Sequence, residues 1–360
     1  MKSKTPPGRI ATFEDFRTAV SAYRLPAILL TALEMDLFTT VSTQQWTMPE
    51  LAKALGVSER GLTILCRNLA MAGLLHKQGG TYWNSRLAAT ALNRTHPAYR
   101  GDYLDLLKSH QSDWVRLRES VQSGLPLDHN EPEEPDYRRR FTWAMHHRTL
   151  ETAPKIAAQL DLRRARTLLD LGGGPGTYAM AFLARNPQLR ATVCDRPAAL
   201  EVAKEIAATH KAGNRLSYLP LDFTQAAIPG RYDVIWYSNV LHIYSPEVNQ
   251  AVFARARAAV QPGGRFIIQD AFLHDREALF PEEASLFAVS MLLFTEGGNT
   301  YSSADTTRWL KQAGFGQVRL LRMNRQTEDW EDGILEASVP GAHPGTTGRR
   351  GRSRGSSKRR

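Results

Sequence analysis

The segment that most restricts the fold is Thr167-Leu168-Leu169-Asp170-Leu171-Gly172-Gly173-Gly174-Pro175-Gly176. A short apolar run, then glycines at alternate positions, then a helical pattern reads as strand, turn and helix. Glycine lets the main chain pass close to a ligand there, and the helix that follows presents unpaired N–H groups to it. A dinucleotide-binding turn would carry its third glycine at position 177, which is Thr177. The spacing is instead GxGxG, with Pro175 ahead of Gly176.

From Arg166 onward, short apolar runs alternate with helical patterns, as in a parallel sheet built from βαβ units. Strands are predicted at Thr167 to Leu171, Ala191 to Cys194, Leu216 to Leu219, Asp233 to Tyr237, Arg265 to Gln269, Gln317 to Met323 and Gly333 to Ala337. The expected class is α/β, a Rossmann-like, doubly wound, seven-stranded sheet behind a mostly helical N-terminal domain. In that domain, residues 13 to 40 read as an amphipathic helix pair. A short helix closed by Gly56 and a second capped by Ser58 then have helix-turn-helix spacing. Two short strands near Leu75 to Lys77 and Thr81 to Trp83 complete a winged-helix pattern. The expected division is residues 1–105 for this module, 106–160 for a helical connector and lid, 161–338 for the sheet domain and 339–360 for a basic tail.

The formal charge of +10 would point to nucleic acid if it were spread over the fold. Seven of those charges are Arg349, Arg350, Arg352, Arg354, Lys358, Arg359 and Arg360, which leaves +3 for residues 1–348. Such a tail, without apolar residues, is expected to be disordered and solvated. The second helix of the helix-turn-helix pattern carries only Arg60 and Arg67 as cations beside Leu62, Ile64, Leu65, Leu69 and Met71, a poor DNA-reading surface. No specific nucleic-acid partner is therefore expected. No uncharged apolar run approaches the roughly 20 residues of a membrane helix, and the charged first thirty residues fit no signal peptide. Two cysteines, Cys66 and Cys194, make no disulfide framework and suit a reducing cytoplasm, both buried as small hydrophobes.

Open α/β sheets place ligands beyond the carboxyl ends of their strands. Asp170 opens the glycine turn, Asp195 ends the second strand, Asp222-Phe223 follows the third and Ser238 closes the fourth. One such acid is ordinarily a turn former. Several in register with Gly172, Gly174 and Gly176 predict a cofactor with an adenosine: Asp195 on the ribose hydroxyls, Asp222 and Phe223 at the adenine, Asp170 ordering the turn and meeting an amino group.

The chain resembles the dimeric class I O-methyltransferases of phenols and other small natural products over about residues 15 to 337. The resemblance is carried by Glu50 to Val57, Leu169 to Gly176, Asn239 to Glu247 and Gln261 to Arg265. It implies S-adenosyl-L-methionine as cofactor, no metal, a small-molecule acceptor and a homodimer formed through the N-terminal domain. It puts a catalytic base at His242 and its orienting acid at Asp270. Phe141, Met145, Phe287, Met291 and Thr295 fall on the family's lid, although helical core packing would use the same residues. The family's second acid falls on Thr300, with Glu296 nearby as a possible substitute, and Tyr244 stands where the family has tryptophan. The missing acid keeps C-methylation open as an alternative, since a carbon acceptor activated by its own ring needs only a weak base.

Overall fold

The computed structural model describes residues 10–127, 135–210, 213–274, 279–322 and 333–341. The basic run from Arg349 and the last position of the predicted sixth strand, Met323, lie outside them. The chain divides into two compact units, one of residues 1–115 and 131–148, the other of 116–130 and 149–360.

The first unit begins with α1 (Phe13–Val20), α2 (Arg24–Glu34) and α3 (Leu37–Val41). A two-residue strand β1 (Trp46–Thr47) leads into α4 (Met48–Leu55), and α5 (Glu59–Met71) follows. The turn between α4 and α5 follows from local chemistry. The Glu50 carboxylate accepts from the main-chain N–H (3.0 Å) and hydroxyl (2.6 Å) of Thr47. Gly56 adopts φ +67 at the far end, and the Ser58 hydroxyl accepts from the Gly61 N–H. The hairpin β2 (Leu75–Gln78) and β3 (Thr81–Asn84) pairs as expected, and β1 joins it antiparallel to β3. Periodicity could not reveal β1, which is two residues long. Leu37, Phe38, Val41, Leu51, Leu62, Cys66, Leu69 and Tyr82 form this unit's core. α6 (Arg86–Ala91), α7 (Gly101–Trp114) and, after α8 (Leu117–Ser123) in the other unit, α9 (Pro135–Thr149) complete it. Residues 13–40, expected as an amphipathic helix pair, form three helices and a 3-10 turn; none of the residues of α1 is buried, and Phe13, Phe16 and Val20 are all exposed.

The second unit opens with α8 and α10 (Thr152–Gln159). Its sheet runs through β4 (Thr167–Leu171), β5 (Arg190–Asp195), β6 (Leu216–Pro220), β7 (Tyr232–Ser238), β8 (Val260–Gln269), β11 (Val318–Arg322) and β12 (Gly333–Ser338). A two-residue parallel pair, β9 (Phe272–Leu273) and β10 (Tyr301–Ser302), stands apart. The helices are α11 (Thr177–Arg185), α12 (Pro197–Ala208), α13 (Pro246–Ala259), α14 (Glu282–Phe294) and α15 (Ser303–Gln312). Strand order is β11-β12-β8-β7-β4-β5-β6, parallel except for β12, which runs against both its neighbours. The seven predicted strands are the seven observed.

Side-chain alternation assigns the two faces. On β7, Trp236 meets Tyr178 and Phe182 of α11, while Tyr237 meets Phe253 of α13. The sheet is thus covered on both sides, and its inner strands are apolar throughout. Cys194 is fully buried in β5, and burial pushes its thiol up to about 12. Glu336 on β12 is buried between Arg265 of β8 (2.9 Å) and Arg319 of β11, so the antiparallel strand is fastened to both neighbours by charge as well as by its ladder.

Candidate active site

The chain reverses direction of build-up between β4 and β7, which are sheet neighbours, so their carboxyl ends open onto one crevice. The turn after β4 carries three left-handed glycines: Gly172 (φ +71), Gly174 (φ +48) and Gly176 (φ +70). A β-carbon on Gly172 would come within 2.7 Å of the Val240 side chain and 3.4 Å of Phe223, so this glycine is needed for clearance as well as conformation. Nothing lies within 4 Å of the corresponding point on Gly174. The main chain there borders open space, the cradle that a close-lying ligand requires.

Asp195 holds that cradle from the next strand. Its carboxylate accepts from the Gly174 N–H at 2.8 Å and from the Arg196 N–H at 2.7 Å. Asp170 is buried beneath the turn and accepts from the Ala179 N–H at 3.2 Å. Burial, reinforced by the nearby Asp195 charge, pushes its carboxyl up to about 7 against the pull of that N–H. Phe223 is buried edge-on to Tyr244, with ring centres 6.2 Å apart. Phe223, expected at the adenine, and Tyr244, which stands where the family has tryptophan, are therefore neighbours. Asp222 is exposed, and its Oδ1 accepts from the Thr224 N–H at 2.9 Å; that bond with the Thr224 hydroxyl holds its carboxyl below the usual range. Ser238 donates to Gln269 Oε1 at 2.8 Å and receives the Asn239 amide at 3.0 Å.

Beyond β7 the chain passes through Asn239, left-handed at φ +56, into a three-residue 3-10 turn, Leu241–Ile243. His242 sits in it, buried, with Nδ1 2.8 Å from Oδ1 of Asp270, which directly follows β8. The same Oδ1 accepts from the Ala271 N–H, and the Asp270 N–H donates to the Gly333 carbonyl of β12 at 3.1 Å. Phe287 of α14 lies edge-on to the imidazole, 4.7 Å between ring centres. Met291 is one turn further along that helix. Thr295, expected on a pocket wall, spends its hydroxyl at the helix end, donating to the Met291 carbonyl (2.6 Å) and accepting from the Gly298 N–H (3.0 Å). Phe141 and Met145 lie on α9 of the first unit. Thr300 is buried, and its Oγ1, like Asp270 Oδ2, makes no hydrogen bond among the described residues. Glu296 is exposed and makes no hydrogen bond to His242.

Residues 112–316 match the family profile for the O-methyltransferase domain, and residues 18–94 that for the O-methyltransferase dimerisation domain. This chain belongs to the O-methyltransferase family. It is 30% identical over 301 residues to the 3-hydroxy-5-methyl-1-naphthoate 3-O-methyltransferase of Streptomyces sahachiroi, covering 82% of this chain and 87% of the relative. It is 28% identical over 310 residues to the L-tyrosine C(3)-methyltransferase of Streptomyces lavendulae, covering 81% and 84%. Among solved structures, an O-methyltransferase family protein from Burkholderia thailandensis superposes with a TM-score of 0.82 at 25% identity, covering 93% of this chain and all of that one. This O-methyltransferase takes its methyl from S-adenosylmethionine, and the residues present fit that cofactor. The open glycine cradle, the carboxylate of Asp195 beside it and the buried Asp170 beneath are the groups a charged amino acid bearing an adenosine calls for.

Two features of this O-methyltransferase escaped the sequence. Asn249 looked like an ordinary position on α13, yet it is fully buried and bonds three main-chain carbonyls around the His242 turn. Asn239 carries its signal only in its residue type, since asparagine tolerates the left-handed region better than most.

Proposed function

We propose that the enzyme methylates a hydroxyl on a flat aromatic acceptor, with His242 as general base and Asp270 as the acid that holds it. The buried 2.8 Å contact between His242 Nδ1 and Asp270 carries this reading. A phenol titrates near 10, so at neutral pH its proton has to be taken as the new bond forms. With Nδ1 committed to Asp270, Nε2 is the nitrogen left to take it, and the carboxylate stabilises the cation that results. The cofactor's sulfonium supplies an already activated methyl and leaves as a thioether, so no metal is required. In-line alignment of acceptor oxygen, methyl carbon and sulfur is then the main demand on the protein.

Asp170, Gly172, Gly174, Gly176, Asp195, Asp222, Phe223 and Ser238 are assigned to the cofactor side of the site. Phe287 and Met291 are assigned to the acceptor side. An apolar, partly aromatic wall beside a buried base suits a phenol, naphthol or larger hydroxyarene. The naphthoate acted on by the Streptomyces sahachiroi relative belongs to that class. We further assign the helix-turn-helix and hairpin of the first unit to a winged-helix fold that makes a homodimer, and the enzyme to the cytoplasm, where two buried free thiols are at home.

The test is incubation of the purified protein and cofactor with a panel of phenols, hydroxynaphthoates and polycyclic hydroxyquinones. Mass spectrometry reads product, and NMR reads whether the methyl sits on oxygen or carbon. His242→Ala is expected to lower the O-methylation rate about 100-fold or more. A carbon-bound methyl would turn the assignment to the C-methylation alternative, and an unaltered rate in the variant would remove His242 as base.

A further inference from the structure

A 3-10 turn of three residues cannot hold its own shape: the one internal bond here is from the Ile243 N–H to the Val240 carbonyl. The carbonyl edge of the turn that carries His242 is instead gripped from outside. The Asn249 side-chain amide donates to the carbonyls of Leu241 (2.9 Å), Tyr244 (2.9 Å) and Ser245 (3.1 Å), and its oxygen accepts from the Tyr237 hydroxyl at 3.3 Å. From the opposite direction comes the segment joining α14 to β10. There the Asn299 N–H donates to the His242 carbonyl at 2.9 Å, and the Tyr301 hydroxyl donates to the Tyr244 carbonyl at 2.6 Å.

Gly298 marks how closely that segment approaches. Its φ lies outside the left-handed region, so conformation does not demand glycine. Space does: a β-carbon would fall 2.3 Å from the His242 carbonyl oxygen and 2.9 Å from that of Ile243. Gly298 is in turn tied through Thr295 to α14, the helix whose Phe287 flanks the imidazole.

We propose that Asn249 and Gly298 are positioning residues for methyl transfer, the two jaws of a clamp that fixes the main chain of the His242 turn and so aims its imidazole. The proposal rests on His242 being the base. Neither jaw bonds to the glycine turn or to Asp195, although Asn249 also holds the Tyr244 carbonyl, whose ring meets Phe223. The ionisable groups facing the turn are Asp270 from β8, Tyr237 from β7, Tyr301 from β10 and Glu247 from α13. Gly298→Ala removes a hydrogen bond from none of them, while Asn249→Ala takes away the acceptor of the Tyr237 hydroxyl.

In the full-length enzyme, Gly298→Ala has to push the His242 carbonyl back by most of an ångström. Misplacement on that scale costs on the order of 100-fold in rate. Asn249→Ala, which takes the side-chain donor from the Leu241 carbonyl and one of two donors from those of Tyr244 and Ser245 without adding bulk, is expected to cost about 10-fold. Both losses should fall on kcat, and Gly298→Ala should leave S-adenosylhomocysteine affinity, read by calorimetry, within about 2-fold. With the phenol or naphthol turned over best in the panel, both deficits should shrink as pH rises toward the acceptor's own pKa near 10, where the base is no longer needed. A general packing defect would persist at every pH.

A second readout needs no acceptor: in protein labelled with 15N-histidine, the NMR signals of the His242 ring, assigned by their loss in His242→Ala, should move in both variants. Unmoved ring signals, or deficits that stay constant with pH, overturn the clamp. If His242→Ala itself keeps full activity, the base assignment fails instead, and the two failures are told apart.

Discussion

Asp170 is a carboxyl with no cation beside it, and its proton is held in the folded protein up to about pH 7 where an unfolded chain would release it near the ordinary 3.8 of an aspartate. The folded state therefore binds more protons across that window, and stability is lost as pH rises through it. The full difference is about 4 kcal/mol. The cofactor-free enzyme is expected to melt at progressively lower temperature from pH 5 to 7.5, and Asp170→Asn should flatten that slope; a wild-type slope in the variant would discount the buried carboxyl. The ammonium of S-adenosylmethionine favours the ionised form. Binding should then release a proton and tighten as pH rises toward 7, which calorimetry in two buffers of different ionisation enthalpy measures directly.

At the scale of elements, the turn between β4 and α11 combines two separate constraints, a left-handed main chain and contact with Val240 from the loop after β7. Gly172→Ala violates both, so it is expected to weaken S-adenosylhomocysteine binding by at least about 100-fold, the free-energy equivalent of roughly 3 kcal/mol. Equal binding by the variant in calorimetry would mean that the turn yields more than its contacts suggest. This element was legible in the sequence because strand, glycines and helix signal through local chemistry alone. Asp195 was legible too, by falling at a strand end. The clamp on His242 was not, for Asn249 and Gly298 act on carbonyls that any residue would present, and only the folded path of the chain brings them together. β9 and β10 were hidden for a related reason: two residues each are too few to show a period, and they pair across 29 positions.

At the scale of the molecule, the two units differ in how well their sequences account for them. The sheet unit buries the apolar residues of its inner strands, while its edge strand β6 has no buried residue and Leu279, Phe280 and Leu286 stay exposed. The first unit leaves Phe13 at 78% exposure and Phe16 at 51% on a helix whose N-terminus is well capped by Thr12 and Asp15. This exposed aromatic face lies just ahead of residues 18–94, which match the dimerisation domain, and is the surface to test as a contact between copies. A Phe13→Ser, Phe16→Ser double variant is expected to raise the dimer dissociation constant by 100-fold or more, since each buried phenylalanine contributes about 1.5–3 kcal/mol. Sedimentation velocity distinguishes the outcomes, and a wild-type protein that is monomeric at micromolar concentration would refute the arrangement. Charge could mislead here: the +10 total belongs mostly to residues 349–360, and the remainder is close to neutral.

The reversed strand β12 has a consequence in time. Its first residue, Gly333, receives the N–H of Asp270, and Glu336 pins it to β8 and β11. Of all the strands it is the last to be translated. While a ribosome is still making it, the nucleotide crevice between β4 and β7 can already be shaped, but the Asp270 N–H lacks the Gly333 carbonyl to which it donates. Competence to bind the methyl donor should therefore precede competence to use it during biosynthesis.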